Sequence, residues 1–403
     1  MATAASPLPA PPHHGFVTGL GVAQIVAWGT LLYAFPLLAG PMAAELGWSK
    51  AETYLLASLS LAVSGLAAVP VGTAIDRGHG RAVMAGGSAL AALMLWGWGQ
   101  ATETWQLVLV FVGIGLAQAM TLYEPGFAVI ARRFGARARQ GITALTLWGG
   151  FASTVFIPVT QAMLDRVGWR GTLEGLALAT LVLCLPLHLL VVRPDLDPPP
   201  EPPAPGAGDG RALPWALRQP AFWGLALAFT VYYATFTGLT YHLYPLLAER
   251  GLESAAIVGA LALVGPAQVA GRVAVAALAA RASIRAVGVA STLVLPLVLT
   301  ALLLLGNNLV LLAAFALAYG AVNGIMTIVR GAAVPEMLTR QAYGAINGAL
   351  TLPTAVVRAL APMLAALLWE ASGSYDGVLA ACIAAMAVVA ASFWLAARAS
   401  PRP

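Results

Sequence analysis

This chain has almost no charge. Of its 403 residues only 9% are Asp, Glu, Lys or Arg, while 60% are hydrophobic, with a mean hydropathy of +0.84. A soluble protein of this length needs far more polar surface, so the soluble globular class is excluded. Lysine is nearly missing: Lys50 is the single lysine among 21 basic residues. Cysteine is scarce too. Cys184 and Cys382 both fall in apolar runs and define no disulfide framework. The sequence holds no H-E-x-x-H, no G-x-S-x-G and no P-loop. Those absences point away from an enzyme and away from ATP-driven pumping. No cofactor and no metal site is expected. The first fourteen residues carry no basic n-region, so they do not read as a signal peptide.

What the chain has is long apolar runs. A helix crosses the hydrocarbon core with about 20 apolar residues. Twelve candidate spans fall near 16–42, 52–75, 82–101, 106–131, 141–164, 171–192, 221–247, 255–279, 286–305, 309–329, 344–368 and 377–397. The basic residues orient them. With both termini cytoplasmic, fifteen basic residues fall inside, and only Lys50, Arg166, Arg170 and Arg250 fall outside. The basic balance therefore reports topology in a cytoplasmic (inner) membrane rather than nucleic-acid binding. Lipid is the expected surrounding, and the expected state is a monomer.

One long polar break, 193–218, separates six spans from six. Its core, DPPPEPPAPGAGDG at 197–210, reads as a flexible or partly polyproline linker. This divides the chain into a tail (1–14), a first bundle (15–192), the linker (193–218), a second bundle (219–398) and a short tail (399–403). The halves repeat. Ala44-Glu45-Leu46-Gly47 aligns with Ala248-Glu249-Arg250-Gly251, and Arg81-Ala82-Val83 with Arg285-Ala286-Val287, both at an offset of 204 residues. Ala144-Leu145-Thr146-Leu147 recurs as Ala349-Leu350-Thr351-Leu352 at an offset of 205. Paired six-helix repeats around a central site are a transporter architecture.

Charges inside spans mark the candidate site. An arginine at the centre of a spanning helix costs roughly 2.5–3.5 kcal/mol on insertion scales, which is tolerated where it serves function. Arg272 and Arg358 are two such residues, in the eighth and eleventh spans. Neither has a charged counterpart in the first half. Glu124, in the fourth span, is the one deeply placed acid. A guanidinium grips a carboxylate with two parallel hydrogen bonds. Two arginines and one ionised Glu124 sum to +1, which a monocarboxylate neutralises. With Glu124 protonated the sum is +2, which suits a dicarboxylate. Glu124 is thus a candidate for proton coupling, or a partner that releases an arginine when substrate enters. A permanent ion pair is the structural alternative. His242, towards the outer side of the seventh span, titrates in a range that also suits proton coupling, or it is a plain hydrogen-bonded histidine.

Local motifs carry a family resemblance. Gly72-Thr73-Ala74-Ile75-Asp76-Arg77-Gly78-His79-Gly80-Arg81 joins the second and third spans. It resembles the G-x-x-x-D-R-x-G-R signature of the major facilitator superfamily, with one extra residue before the last Gly-Arg. Glu45-Leu46-Gly47-Trp48-Ser49, Arg132-Arg133-Phe134, Gly168-Trp169-Arg170 and Gly271-Arg272 are similar to patterns of its monocarboxylate transporter and oxalate/formate antiporter branch. The resemblance covers nearly the whole chain. It implies an all-α membrane protein of twelve transmembrane helices in two pseudo-symmetric six-helix bundles. It implies that Asp76, Arg77 and Arg81 latch a gate, and that Arg272 and Arg358 hold a substrate carboxylate. In such a fold the first, fourth, seventh and tenth spans line the cavity. Tyr33, Tyr123, Tyr232 and Asn323 therefore join the candidate substrate-binding set. Two departures count against proton-driven drug efflux: Phe111 stands where an arginine is often found, and Trp148-Gly149-Gly150-Phe151 replaces a Gly-Pro motif.

The expected function is secondary active transport of a small organic anion, a mono- or dicarboxylate, by alternating access. Coupling would be to protons or by anion exchange. The alternatives are export of an amphipathic compound or an oxyanion, and a transporter-like ligand sensor.

Overall fold

The computed structural model describes residues 14–134, 138–197, 212–278, 283–304, 308–339 and 343–400. Most of both expected tails and 198–211 of the linker lie outside the described residues, as does the side chain of Asp76. Among the described residues the chain is helical, with no strand. Eleven runs are long and apolar enough to cross a membrane. One of them, Gly141–Val191, is 51 residues long and turns at Gly168, where φ is 71°. It holds the fifth and sixth spans, so the twelve expected spans are present. The 193–218 connection defines one end of the molecule, the linker end. Lys50 and Tyr375 begin spans at the opposite, far end.

The turns repeat as the sequence does. Gly47 and Gly251, 204 residues apart, and Gly168 and Gly373, 205 apart, all take positive φ. Glycine adopts this conformation without the Cβ clash that other residues meet. At Gly47 the turn hands over to Ser49, which caps the second span. Its Oγ accepts from Glu52 N at 3.2 Å, and the Glu52 carboxylate accepts from Ser49 N at 2.8 Å.

Each half closes its far end with the same clamp, built from different residues. Glu45 accepts from Trp169 Nε1 at 2.7 Å and from the Arg170 guanidinium at 2.8 Å. Its repeat partner Glu249 accepts from Trp369 Nε1 at 2.5 Å and from Tyr375 N at 2.7 Å. Arg170 also donates to the carbonyls of Gly99 (2.6 Å) and Ala101 (3.0 Å), which end the third span. Arg250 does the same for Leu302 and Leu303 at the end of the ninth span, and pairs with Asp376 at 2.7 Å. A cation at a helix C-terminus satisfies orphan carbonyls and opposes the negative end of the dipole. At the linker end Arg132 and Arg133 hold Asp197 at 3.3 and 3.8 Å. Burial pushes that carboxyl upward from its usual range, and the two guanidiniums pull it back.

Prolines inside the spans create bonding sites. A helix proline has no N–H, so the carbonyl four residues earlier loses its partner. Three such carbonyls are taken by side chains of other helices. Pro125 frees Thr121 O, which accepts from Gln24 Nε2 at 2.7 Å. Pro245 frees Tyr241 O, which accepts from the Tyr54 hydroxyl at 3.0 Å. Pro266 frees Ala262 O, which accepts from Thr154 Oγ1 at 2.8 Å. The last two bonds join one half of the molecule to the other. In hydrocarbon no water would replace them.

Candidate functional site

The fifth and eighth spans run side by side across the interface between the halves. Gly150 packs against Val269, and Gly265 against Gly150 and Thr154. The eighth span is also pressed backbone-to-backbone onto the tenth: a Cβ at Gly271, Gly320 or Gly324 would meet main-chain atoms of the facing helix. This pairing fixes the rotation of the eighth span and sends Arg272 into the interface.

Arg272 is only 8% exposed. Its Nη1 donates to the Thr146 carbonyl of the fifth span, and its guanidinium reaches the Tyr123 hydroxyl. Its Nε is buried and has no partner among the described residues. No carboxylate lies within 4.0 Å of Arg272 or Arg358 among the described residues. Arg358 is half-buried. Its Nε donates to Thr237 Oγ1 at 3.2 Å, and its guanidinium lies 5.9 Å from the Tyr233 ring centre. Tyr233 stands in the field of Arg272, Arg358 and Arg330, and Tyr33 in that of Arg272. The two arginines thus converge on one polar, tyrosine-rich zone.

Tyr123 reaches this zone because the fourth span breaks beside it. The helix stops at Thr121 and restarts at Tyr123, ahead of Pro125. Gln24, fully buried, bonds the Thr121 and Leu122 carbonyls at 2.7 and 3.1 Å and holds the break open. The Tyr123 ring packs on Trp28 with centres 4.9 Å apart. Glu124 follows, exposed and with no hydrogen-bond or ion-pair partner among the described residues.

The other expected residues are placed elsewhere. Tyr232 is 1% exposed and donates to Asn323 Oδ1 at 2.9 Å, so both are satisfied inside the second bundle. Tyr233, the next residue, faces the arginines. Successive helix residues point about 100° apart, given 3.6 residues per turn, and composition alone does not choose between them. His242 sits apart, at the far-end seal. Its ring stacks on Tyr54 with centres 3.9 Å apart. The Pro362 carbonyl can only accept, so Nε2 carries the proton that bonds it at 2.9 Å; Nδ1 then accepts from the Tyr375 hydroxyl at 2.8 Å. Arg77 and Arg81 are exposed near the linker end.

The seal around His242 joins the halves. Met363 N donates to Ser58 Oγ at 3.1 Å, and Ala51 N donates to Glu370 at 2.8 Å. Lys50 lies over the Trp369 ring at 3.3 Å and the Tyr375 ring at 4.5 Å. Between this seal and Arg272 lies a narrow, mostly apolar cavity. Tyr33, Ser153, Phe236, Val264, Gln268 and Tyr319 are among its lining residues. The substrate-binding set selected from the sequence did not include Tyr233, Ser153 or Gln268. The one available signal was the spacing of Gln268, a single helical turn before Arg272.

Comparison with known proteins agrees with this architecture. A profile of the Major Facilitator Superfamily matches residues 20–299. Human Monocarboxylate transporter 11 is 33% identical over 282 residues, 66% of this chain and 57% of that protein. Bovine (Bos taurus) Monocarboxylate transporter 13 is 29% identical over 237 residues, 57% of this chain and 52% of that protein. The matches thus span little more than half the length of those curated relatives. Among solved structures, a bacterial homologue of the human lysosomal transporter Spinster, described as inward-facing and unoccupied, superposes with a TM-score of 0.76 at 16% identity, covering 98% of this chain and 100% of that one. With twelve spans in two repeated bundles and a family profile over more than half its length, this chain belongs to the major facilitator superfamily of membrane transporters.

Proposed function

We propose that this transporter moves a small organic anion, a mono- or dicarboxylate, across the cytoplasmic membrane by alternating access. The observation that carries this reading is Arg272: buried, without a counter-carboxylate, and with Nε unpartnered. A buried donor left unsatisfied costs about 1–3 kcal/mol, and more for a charged group. An arriving carboxylate would remove that cost, taking the free edge of the guanidinium while Arg358 supplies the second cation. Tyr33, Tyr123 and Tyr233 would orient it. Monocarboxylate transport by the named relatives supports the same class.

The basic residues cluster at the linker end, which the positive-inside rule assigns to the cytosol. The Lys50 and His242 seal would then close the outer side, and 15–192 would rock against 219–398. Arg77 and Arg81, with Asp76, would latch the opposite gate. Glu124, unpaired beside Tyr123, is the residue we place in proton coupling; the alternative drive is anion exchange. His242, with both ring nitrogens bonded, serves the seal.

A thermal-shift assay on the purified protein with lactate, malate, phosphate and lipophilic cations tests the reading. Ligand at 100 times its dissociation constant stabilises a protein by about 2.7 kcal/mol. Lactate or malate should raise the melting temperature of the wild type and leave Arg272→Ala and Arg358→Ala unmoved. Stabilisation by lipophilic cations alone would replace the anion reading with efflux.

A further inference from the structure

The cavity between Arg272 and the far-end seal is small, and several of its polar groups have nothing to bind. About 40 Å³ is open in it. A water's share of liquid volume is about 30 Å³, so the cavity admits one or two species of that size and no carbon skeleton. Three neutral donors from three helices line it. Ser153 of the fifth span and Tyr319 of the tenth are 3% and 4% exposed, and neither hydroxyl has a hydrogen-bond partner among the described residues. Gln268 of the eighth span is 6% exposed, and its amide likewise makes no hydrogen bond among them. Close packing of the fifth and eighth spans brings Ser153 and Gln268 together: a Cβ at Gly265, one turn before Gln268, would lie 3.4 Å from Ser153 Oγ. Two other lining hydroxyls are already engaged. Thr240 donates to Phe236 O at 2.8 Å, and Tyr244 to Gln161 Oε1 at 3.1 Å. A buried donor without a partner is costly, and an ion or a water is the usual remedy.

The local field chooses between them. No acidic residue lines the cavity. Gln268 precedes Arg272 by four residues, about 6 Å along the helix axis. That guanidinium is buried and has no carboxylate within 4.0 Å among the described residues. Tyr33, in the same lining, stands in its field. Away from water such a field is weakly screened. It favours an anion and opposes a cation, although hydroxyl and amide oxygens by themselves could ligate either. We propose that Ser153, Gln268 and Tyr319 form a binding site for a chloride-sized monovalent anion, held by two O–H donors and one amide N–H and serving as counter-charge to Arg272. Polyatomic oxyanions are too large for the cavity. The site goes beyond the transport reading, because it rests on the uncompensated charge of Arg272 and not on the cargo.

The test titrates sodium chloride into the full chain in detergent by calorimetry, with sodium isethionate holding the ionic strength constant. The wild type should bind chloride saturably and about tenfold more tightly than Ser153→Ala/Tyr319→Phe, which removes two donors to a charge and keeps the packing. Equal binding by that variant would put the chloride elsewhere, on Arg272 itself for instance, and overturn the site. Absence of saturable binding in the wild type would leave the hydroxyls to water and overturn it too. Exchanging sodium for N-methylglucamine should change nothing; a signal that follows sodium would make this a cation site and sink the assignment. Gln268→Met, which removes the amide, repeats the comparison if the double variant does not fold. The melting response to carboxylates is a separate readout, so failure here leaves the transport reading standing.

Discussion

Arginines in this chain do two different jobs, and truncation should tell them apart. Arg170 is fully used, by Glu45 and by two helix-end carbonyls. Arg170→Ala leaves those carbonyls unpaired and should destabilise the protein by about 1–2 kcal/mol, the scale of a lost hydrogen-bond cluster at a partly exposed site. Arg272 bonds one carbonyl, lies close to Tyr123 and keeps Nε free. A buried charge with no counter-ion carries a desolvation penalty that no partner offsets, and removing it strands no opposite charge. Arg272→Met should therefore melt no earlier than wild type without ligand, while losing its response to carboxylates. An early melt for Arg272→Met would make it a structural brace of the fifth span. Of these two arginines only Arg272 stood out in the sequence, because its neighbours are apolar. That its Nε is free is a fact about Thr146 and Tyr123, which lie far away in the chain.

The prolines matter at the scale of whole helices. Twenty-seven prolines are easy to count, and those inside spans predict kinks. Which helix donates to each freed carbonyl is not readable from a proline. Tyr54 and Thr154 come from the first half and meet carbonyls freed in the second. These bonds can break and reform without disturbing either helix ladder, which suits a sliding interface. Tyr54→Phe removes the donor and leaves Tyr241 O unpaired in the closed state; Pro245→Ala lets the helix reclaim that carbonyl. Both should loosen the far-end seal. A cysteine placed at Ser58, with Cys184 and Cys382 replaced, should then react faster with a membrane-impermeant maleimide, by severalfold for about 1 kcal/mol of lost closure. Unchanged labelling in both variants would mean that the seal rests on Lys50 and the rings instead.

Across the whole molecule, alternating access requires the contacts at Ser58 and Met363 to come apart. A short thiol-reactive cross-link between Ser58→Cys and Met363→Cys should abolish transport in proteoliposomes, with recovery when a cleavable linker is cut. Transport that persists through a complete cross-link would rule out rocking of the halves about this seal. The membrane class, the twelve spans, the duplication and the two arginines were all legible in the sequence. Each is local: hydropathy over about 20 residues, a repeat at constant offset, a charge among apolar neighbours. The matching offsets of Gly47 with Gly251 and of Gly168 with Gly373 are also legible, although glycine only permits the positive φ that these turns adopt. Tertiary structure decided the rest. It put Tyr233 rather than Tyr232 on the arginine face, tied His242 into the seal, left Glu124 unpaired, and opened a chamber beside Gln268. The physical reason is that sequence records which groups a helix carries. Which of them are satisfied depends on the rotation of each helix, and that is set by glycine contacts and proline-freed carbonyls with partners as much as 187 residues away.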